Sequence, residues 1–348
     1  MERRLSYGEA ILEAIDQLMQ EDESVLVFGL DVDDPKGILG TTVGLQAKYA
    51  SERVFSTPLS EDAMTGVAIG MSLGGLRPIH VHIRMDFLLL TMNQLVNMAA
   101  KTRYMFGGQF HVPIVVRCII GKSWGQGAQH SQGLYAMLMN IPGIRIVAPT
   151  TPYDAKGCLM AAVRDDNPVV FMEHRLLYYH KGYVPEAPYS SALGRSRTIV
   201  RGQDATLVGV SHMIVQCQRA QRYLDEVGVK AELIDPVWLA PLETDPIVES
   251  VSRTRRLCVV DNGWVTCGAG AEIVAQVLER LGDSTGIRVR RMGFAAVTCP
   301  TSPALERHFY PKAEGIAAAV YDMVAGKKTG WYPTEVDDAA EIEFRGPF

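Results

Sequence analysis

What most limits the fold of this chain is a series of short, mainly apolar runs, several of them apolar without a break. VLVFGLDV, RVFSTP, RPIHVHIR, VPIVVRCII, IRIVAP and NPVVFME follow one another in the first half, separated by helical sequence. Strands that are apolar throughout, rather than at every second residue, belong to a parallel sheet with helices on both faces. The helices have their own signals. Residues 6–21 open with Ser6 and Glu9 at capping-box spacing and align Ile11, Leu12, Ile15, Leu18 and Met19 on one stripe. Another helix begins at Pro152, a residue favoured in the first turn.

The stretch YYHKGYVPEAPYSSALG interrupts this alternation, which then restarts with ATLVGVS, KAELIDP, RRLCVVDNG, the helix GAEIVAQVLERLG and IRVRRMGF. A boundary here gives an α/β domain over 1–185, a smaller α/β domain over 186–330 and an acidic, unpatterned tail over 331–348. With 348 residues, 47% of them hydrophobic, the chain can fill two cores. A net charge of -5 gives no basic stripe for a nucleic acid. No apolar run reaches the ~18 residues of a membrane span, and MERRLSYGEA lacks the apolar core of a signal peptide, so the cytoplasm is the expected location. The six cysteines form no C-x-x-C pair and read as reduced, mostly buried thiols.

TPLSEDAMTGVAIGMSLGGLRP, residues 57–78, carries the first functional signal. Glu61 heads a helix containing Gly66, Gly70 and Gly74 on one face. Each glycine costs about 1 kcal/mol relative to alanine inside a helix. Close backbone approach offsets such a cost, either within the chain or at a subunit interface. Glu61 follows a Ser60 cap and meets the positive end of the helix dipole, so its position alone does not make it catalytic. His130 lies in GQGAQHSQG with Gly121, Gly125, Gly127 and Gly133 nearby, a setting better suited to a substrate-facing imidazole than to a core one. His80 and His82 alternate on a strand and so face one side; lacking a third ligand, they read as structural.

Glu61, Gly66, Val67 and Gly70 together resemble the glutamate-and-glycine motif of thiamine diphosphate enzymes. GLRPIHVHIRMDF, AAKTRYMFGGQFHVPIVVR, GAQHSQG, PTTPYDAKGCLMAAVRDDNPVVFMEH, LAPLE, VVDNGW and SPALERHFYP are similar, in order and spacing, to β subunits of two-subunit 2-oxoacid dehydrogenase E1 components acting on pyruvate, branched-chain 2-oxoacids or acetoin. The resemblance implies a transketolase-like pyrimidine-binding domain followed by a transketolase C-terminal-type domain. It makes Glu61 the partner of the cofactor's aminopyrimidine, places Phe87 and Leu59 against the cofactor, and sets His130 near the reacting carbon. It also implies that the face of Gly66, Gly70 and Gly74 packs at a subunit interface. Ile114, Ala162, Asp165 and Asn167 match positions that bind K⁺, mainly through backbone oxygens, in some relatives; otherwise the last three form a helix end and turn.

The chain contains no Gly-Asp-Gly, the start of the family's Mg²⁺ and diphosphate signature. The resemblance therefore implies half a site, completed by an α subunit in an α2β2 assembly, with the acyl group passing to a lipoyl-bearing E2. Two alternatives stand beside it: a thiamine diphosphate-dependent carboligase or transketolase-like subunit acting on a sugar or specialised-metabolite ketone, and a non-catalytic interaction subunit. Leu30, in GLDV, replaces the first acid of the GEDV or GEEV usual in relatives, which leaves donor and acceptor open.

Overall fold

Wholly apolar strands do build a parallel sheet here. The computed structural model describes residues 3–122 and 125–334, which fall into two units, 3–122 with 137–193 and 125–136 with 194–334. The first unit contains β1 (Arg4–Ser6), β2 (Val25–Gly29), β3 (Val54–Ser56), β4 (Arg77–His82), β5 (Val115–Ile120), β6 (Arg145–Val147), β7 (Val169–His174) and β8 (Lys181–Tyr183). Its sheet runs β6-β7-β5-β4-β2-β3 with every neighbour parallel, and β2, β5 and β7 are buried from end to end. β1 and β8 form a separate antiparallel pair.

The capping box forms as the sequence implies. Ser6 Oγ accepts from Glu9 N at 3.2 Å and Glu9 Oε2 accepts from Ser6 N at 2.7 Å, starting helix Tyr7–Glu21. That helix buries Ile11, Ile15, Leu18 and Met19 and packs on helix Pro152–Arg164. The stretch from Met92 to Met105 is a π-helix over Asn93–Ala99 running into an α-helix over Ala100–Met105, preceded by a 3₁₀ turn over Met85–Thr91. A 3.6-residue period does not anticipate such wide turns, which are rare and cluster at functional sites.

The second unit contains β9 (Arg197–Val200), β10 (Ala205–Gly209), β11 (Ala231–Asp235), β12 (Trp238–Ala240), β13 (Arg256–Trp264) and β14 (Arg288–Phe294). Its sheet runs β14-β13-β10-β11-β9, parallel except for β9. Helices Met213–Glu226 and Ala313–Ala325 share one core with it, including Leu207, Ile214, Leu224, Leu233, Val260, Ile316 and Val320.

Both sheets have a strand from which the chain winds both ways. After β2 it places β3 on one side and β4 on the other; after β10 it places β11 on one side and β13 on the other. The carboxyl ends of the strands at such a switch leave a crevice, the usual ligand position in an open α/β sheet. One departure from the sequence reading matters for function: residues 125–136 belong to the second unit, whereas a single cut at 185/186 assigns them to the first. Their packing partners, Asn262 and Thr301, lie far along the chain, so no local signal marks the crossing. Of the tail read over 331–348, residues 335–348 lie outside the described residues.

Candidate active site

Helix Glu61–Leu73 follows β3, so Glu61, its first residue, emerges at the carboxyl edge of the first sheet, half-buried. Ser60 occupies the N-cap position, but its side chain makes no capping bond. Its Oγ lies 3.5 Å from Asp62 Oδ1, which accepts from Ala63 N at 2.7 Å. Glu61 is secured from below instead. Thr65 Oγ1 donates to Glu61 O at 2.7 Å and stands 3.5 Å from His80 Nδ1 on β4.

His80 stacks on Phe28 with ring centroids 4.6 Å apart and meets His82 at 4.3 Å. Burial holds the His80 pKa well below the usual histidine value and lowers that of His82 to about 4, so both rings are neutral near pH 7. Among the described residues, no group of three or more His, Cys, Asp or Glu side chains could hold a metal ion. The pair supports the helix carrying Glu61.

Phe87 lies in the turn after β4 and is 36% exposed; Leu59, just before Glu61, is 77% exposed. Helix Glu61–Leu73 packs against Met85–Thr91 and Asn93–Ala99, and Val67, Leu73, Leu90, Met98 and Met105 stay exposed on these segments and the one that follows. A Cβ added at Gly66 or Gly70 would meet nothing within 4 Å among the described residues. Gly74 stands apart from them as the C-cap, its N–H donating to Gly70 O at 3.0 Å.

His130 is half-buried in the second unit's 125–136 segment. Gly125 and Gly127 have φ of +79° and +72°, and a Cβ there would fall 2.5 Å from Thr301 O and 2.6 Å from Thr301 Oγ1. Gly133 lies so close to β13 that its Cβ would fall 2.1 Å from Asn262 O. Tyr135, fully buried, donates its phenol proton to Asp261, whose other oxygen accepts from Gly270 N at 2.8 Å. Burial, then the adjacent Asp261, raises the Tyr135 pKa well above the usual tyrosine value; burial raises that of Asp261. Sequence reading singled out neither Tyr135 nor Asp261; LYAM and VVDNGW contain them without indicating that they meet.

The K⁺-matching residues lie around the end of helix Pro152–Arg164. Asp165 N donates to Ala161 O at 3.1 Å and to Ala162 O at 3.3 Å, and Asp165 Oδ1 accepts from Asn167 N at 2.7 Å. Ile114 O accepts from Val169 N at 2.9 Å, while Arg77 donates to Val163 O at 2.9 Å and to Asp165 O at 3.2 Å. Arg145 pairs with Asp165 at 2.9 Å. Leu30, half-buried, ends the β2 segment.

Two domain families match this sequence: "Transketolase, pyrimidine binding domain" over residues 3–181 and "Transketolase, C-terminal domain" over 194–316. The acetoin:2,6-dichlorophenolindophenol oxidoreductase β subunit of Cupriavidus necator is 40% identical, covering 94% of this chain and 100% of its own. The pyruvate dehydrogenase E1 β subunit of Porphyra purpurea is 39% identical, covering 92% and 97%. A solved chain described as "Split gene transketolase, inactive beta4 tetramer" has the same fold, with a TM-score of 0.74 at 23% identity over 92% of this chain and 98% of that one. Its two transketolase-type domains and these full-length likenesses show that the chain belongs to the E1 β-subunit family of thiamine diphosphate-dependent 2-oxoacid dehydrogenases. A β subunit of this family works with an α partner. Among the described residues, no helix is long and apolar enough to cross a membrane.

Proposed function

We propose that this chain supplies the pyrimidine half of a decarboxylating, acyl-transferring site, with Glu61 and His130 as its catalytic residues. The observation that carries the reading is Glu61 at the first turn of a helix in which a Cβ added at Gly66 or Gly70 would meet nothing within 4 Å among the described residues. The fit is one-sided. A half-buried carboxylate next to exposed Leu59, on a helix that packs against the turn carrying exposed Phe87, suits an aminopyrimidine, a polar edge on a flat apolar ring. No acidic cluster among the described residues suits Mg²⁺, and the sequence has no Gly-Asp-Gly. Mg²⁺ and the diphosphate are therefore assigned to the α subunit.

When bound, thiamine diphosphate supplies a carbon nucleophile for a ketone carbonyl and a sink for the electron pair released on cleavage. Glu61 would hold a ring nitrogen of the pyrimidine and exchange a proton there, its backbone secured by Thr65. Phe87 and Leu59 would fix the ring and exclude water. His130 would hold a proton for the substrate oxygen. The uncovered glycine face and its apolar neighbours would pack in an α2β2 assembly, a lipoyl-bearing E2 would accept the acyl group, and the turn around Asp165 would take K⁺ through its carbonyls. The relatives' names point to pyruvate or acetoin as donor.

Calorimetric titration of thiamine diphosphate and Mg²⁺ tests the half-site. We expect binding to the chain mixed with its α partner and none to the chain alone; tight binding to the lone chain overturns the two-subunit reading.

A further inference from the structure

We propose that Tyr135 and Asp261 form a positioning pair for His130, seating its loop in the ligand crevice of the second sheet. The proposal rests on the catalytic reading of His130 above. The crevice is identified by topology. β10 and β13 are neighbours at the point where the winding reverses, so their carboxyl ends are where an open α/β sheet would take a ligand. What lies against the β13 end is the chain's own 125–136 segment.

The seat has three parts. Downstream of His130, Gly133 packs on Asn262 O so closely that no side chain fits, and Gly263 accommodates it in return, its own Cβ position lying 3.1 Å from Gly133 O and 3.5 Å from Tyr135 Oη. Next, the Tyr135 phenol donates to Asp261, which also takes the Gly270 N–H at the start of helix Ala269–Leu281, so one carboxyl joins loop, strand and helix. Upstream, Gly125 and Gly127 lie against Thr301. His130 sits between two fixed points on the same unit.

The side chains are arranged for rigidity. Tyr135 is 0% and Asp261 2% exposed, and a buried carboxyl is costly unless its oxygens are bonded. Here one oxygen takes the phenol proton and the other a backbone N–H. Removing the phenol oxygen leaves a buried acceptor without that partner and frees the loop's downstream end. A hydrogen-bonding group must be held to within about 0.5 Å of its working position to remain effective, so a freed loop costs turnover before it costs binding.

A double-mutant cycle in the assembled α/β enzyme tests this, with turnover, KM and cofactor affinity measured for Tyr135→Phe, His130→Ala and the double variant. We expect Tyr135→Phe to lower kcat by about tenfold or more, leave KM and cofactor affinity within about twofold, and have almost no further effect once His130 is alanine, because residues acting through one group are non-additive. An equal loss in both backgrounds, or no loss in the first, overturns the pair. If His130→Ala alone leaves kcat unchanged, the catalytic reading of His130 fails and the proposal falls with it, a different result from failure of the pair. Should Tyr135→Phe not fold, Asp261→Asn, which can still accept the phenol proton, runs the same cycle; it should cost less than Tyr135→Phe in a folded enzyme, and an additive loss again overturns the pair.

Discussion

The two units use the carboxyl edges of their sheets in opposite ways. In the first, the segments leaving this edge present Leu59, Phe87 and Leu90 to solvent, and a helix carries two glycines where an added Cβ meets nothing within 4 Å among the described residues. In the second, the chain's own loop packs so tightly at the β13 end that Tyr135 and Asp261 are almost fully buried. One edge leaves apolar side chains exposed and the other is covered by the chain itself. The difference separates residues whose role appears only on assembly from residues whose role is set when the chain folds.

The comparison can be broken at its catalytic end first. Glu61→Gln should lower turnover by about 10² to 10⁴, with the α/β assembly unchanged by size-exclusion chromatography. An unchanged rate would instead make the chain an interaction subunit. Next in size is the glycine face. Gly70→Leu should leave the lone chain at least as stable, because Gly70 is exposed, an added Cβ meets nothing within 4 Å among the described residues and a helix glycine costs about 1 kcal/mol. The same change should weaken association with the α subunit by about tenfold or more, roughly 1.4 kcal/mol, measured by sedimentation. If the lone chain melts lower and association is intact, the face is internal packing.

The last effect, read in stability against pH rather than in turnover or assembly, concerns the support beneath Glu61. Burial lowers the His82 pKa to about 4, with His80 shifted in the same direction. Between the unfolded value near 6.5 and pH 4, the unfolded chain binds more protons than the folded one, so this stability is complete above pH 6.5 and declines on acidification. His82 should account for a loss of about 2 kcal/mol between pH 7 and pH 5. Urea midpoints for His82→Phe, which keeps a ring and removes a buried Nε2 that has no hydrogen-bond partner among the described residues, should fall less over that interval than those of the unaltered chain. Parallel pH dependences would show that His82 does not titrate this way.

Legibility followed the range of the forces. The parallel sheets were readable because burial on both faces makes a strand apolar throughout, and the capping box because its residues are three apart. Alternation on one strand put His80 and His82 on the same side, where their rings meet at 4.3 Å, whereas their neutrality comes from burial, which the sequence does not show. Ser60 misled because an N-cap position does not oblige the serine to bond, and here Thr65 secures Glu61 from within the helix. The π-helix over Asn93–Ala99 has no periodic signature. Glu61, Phe87 and His130 were nameable through motif resemblance, whereas the Tyr135–Asp261 bond joins residues 126 apart, and only the folded chain brings them together.

The route of the 125–136 segment also restricts how the gene could be divided. It leaves after a strand of one sheet and returns before the next strand of that sheet, having served as an internal part of the other unit. A split at residue 185 would give an N-terminal product carrying a histidine loop without its seat, and a C-terminal product with that seat vacant. The two halves of this chain are separable as names for domains but not as independently inherited parts.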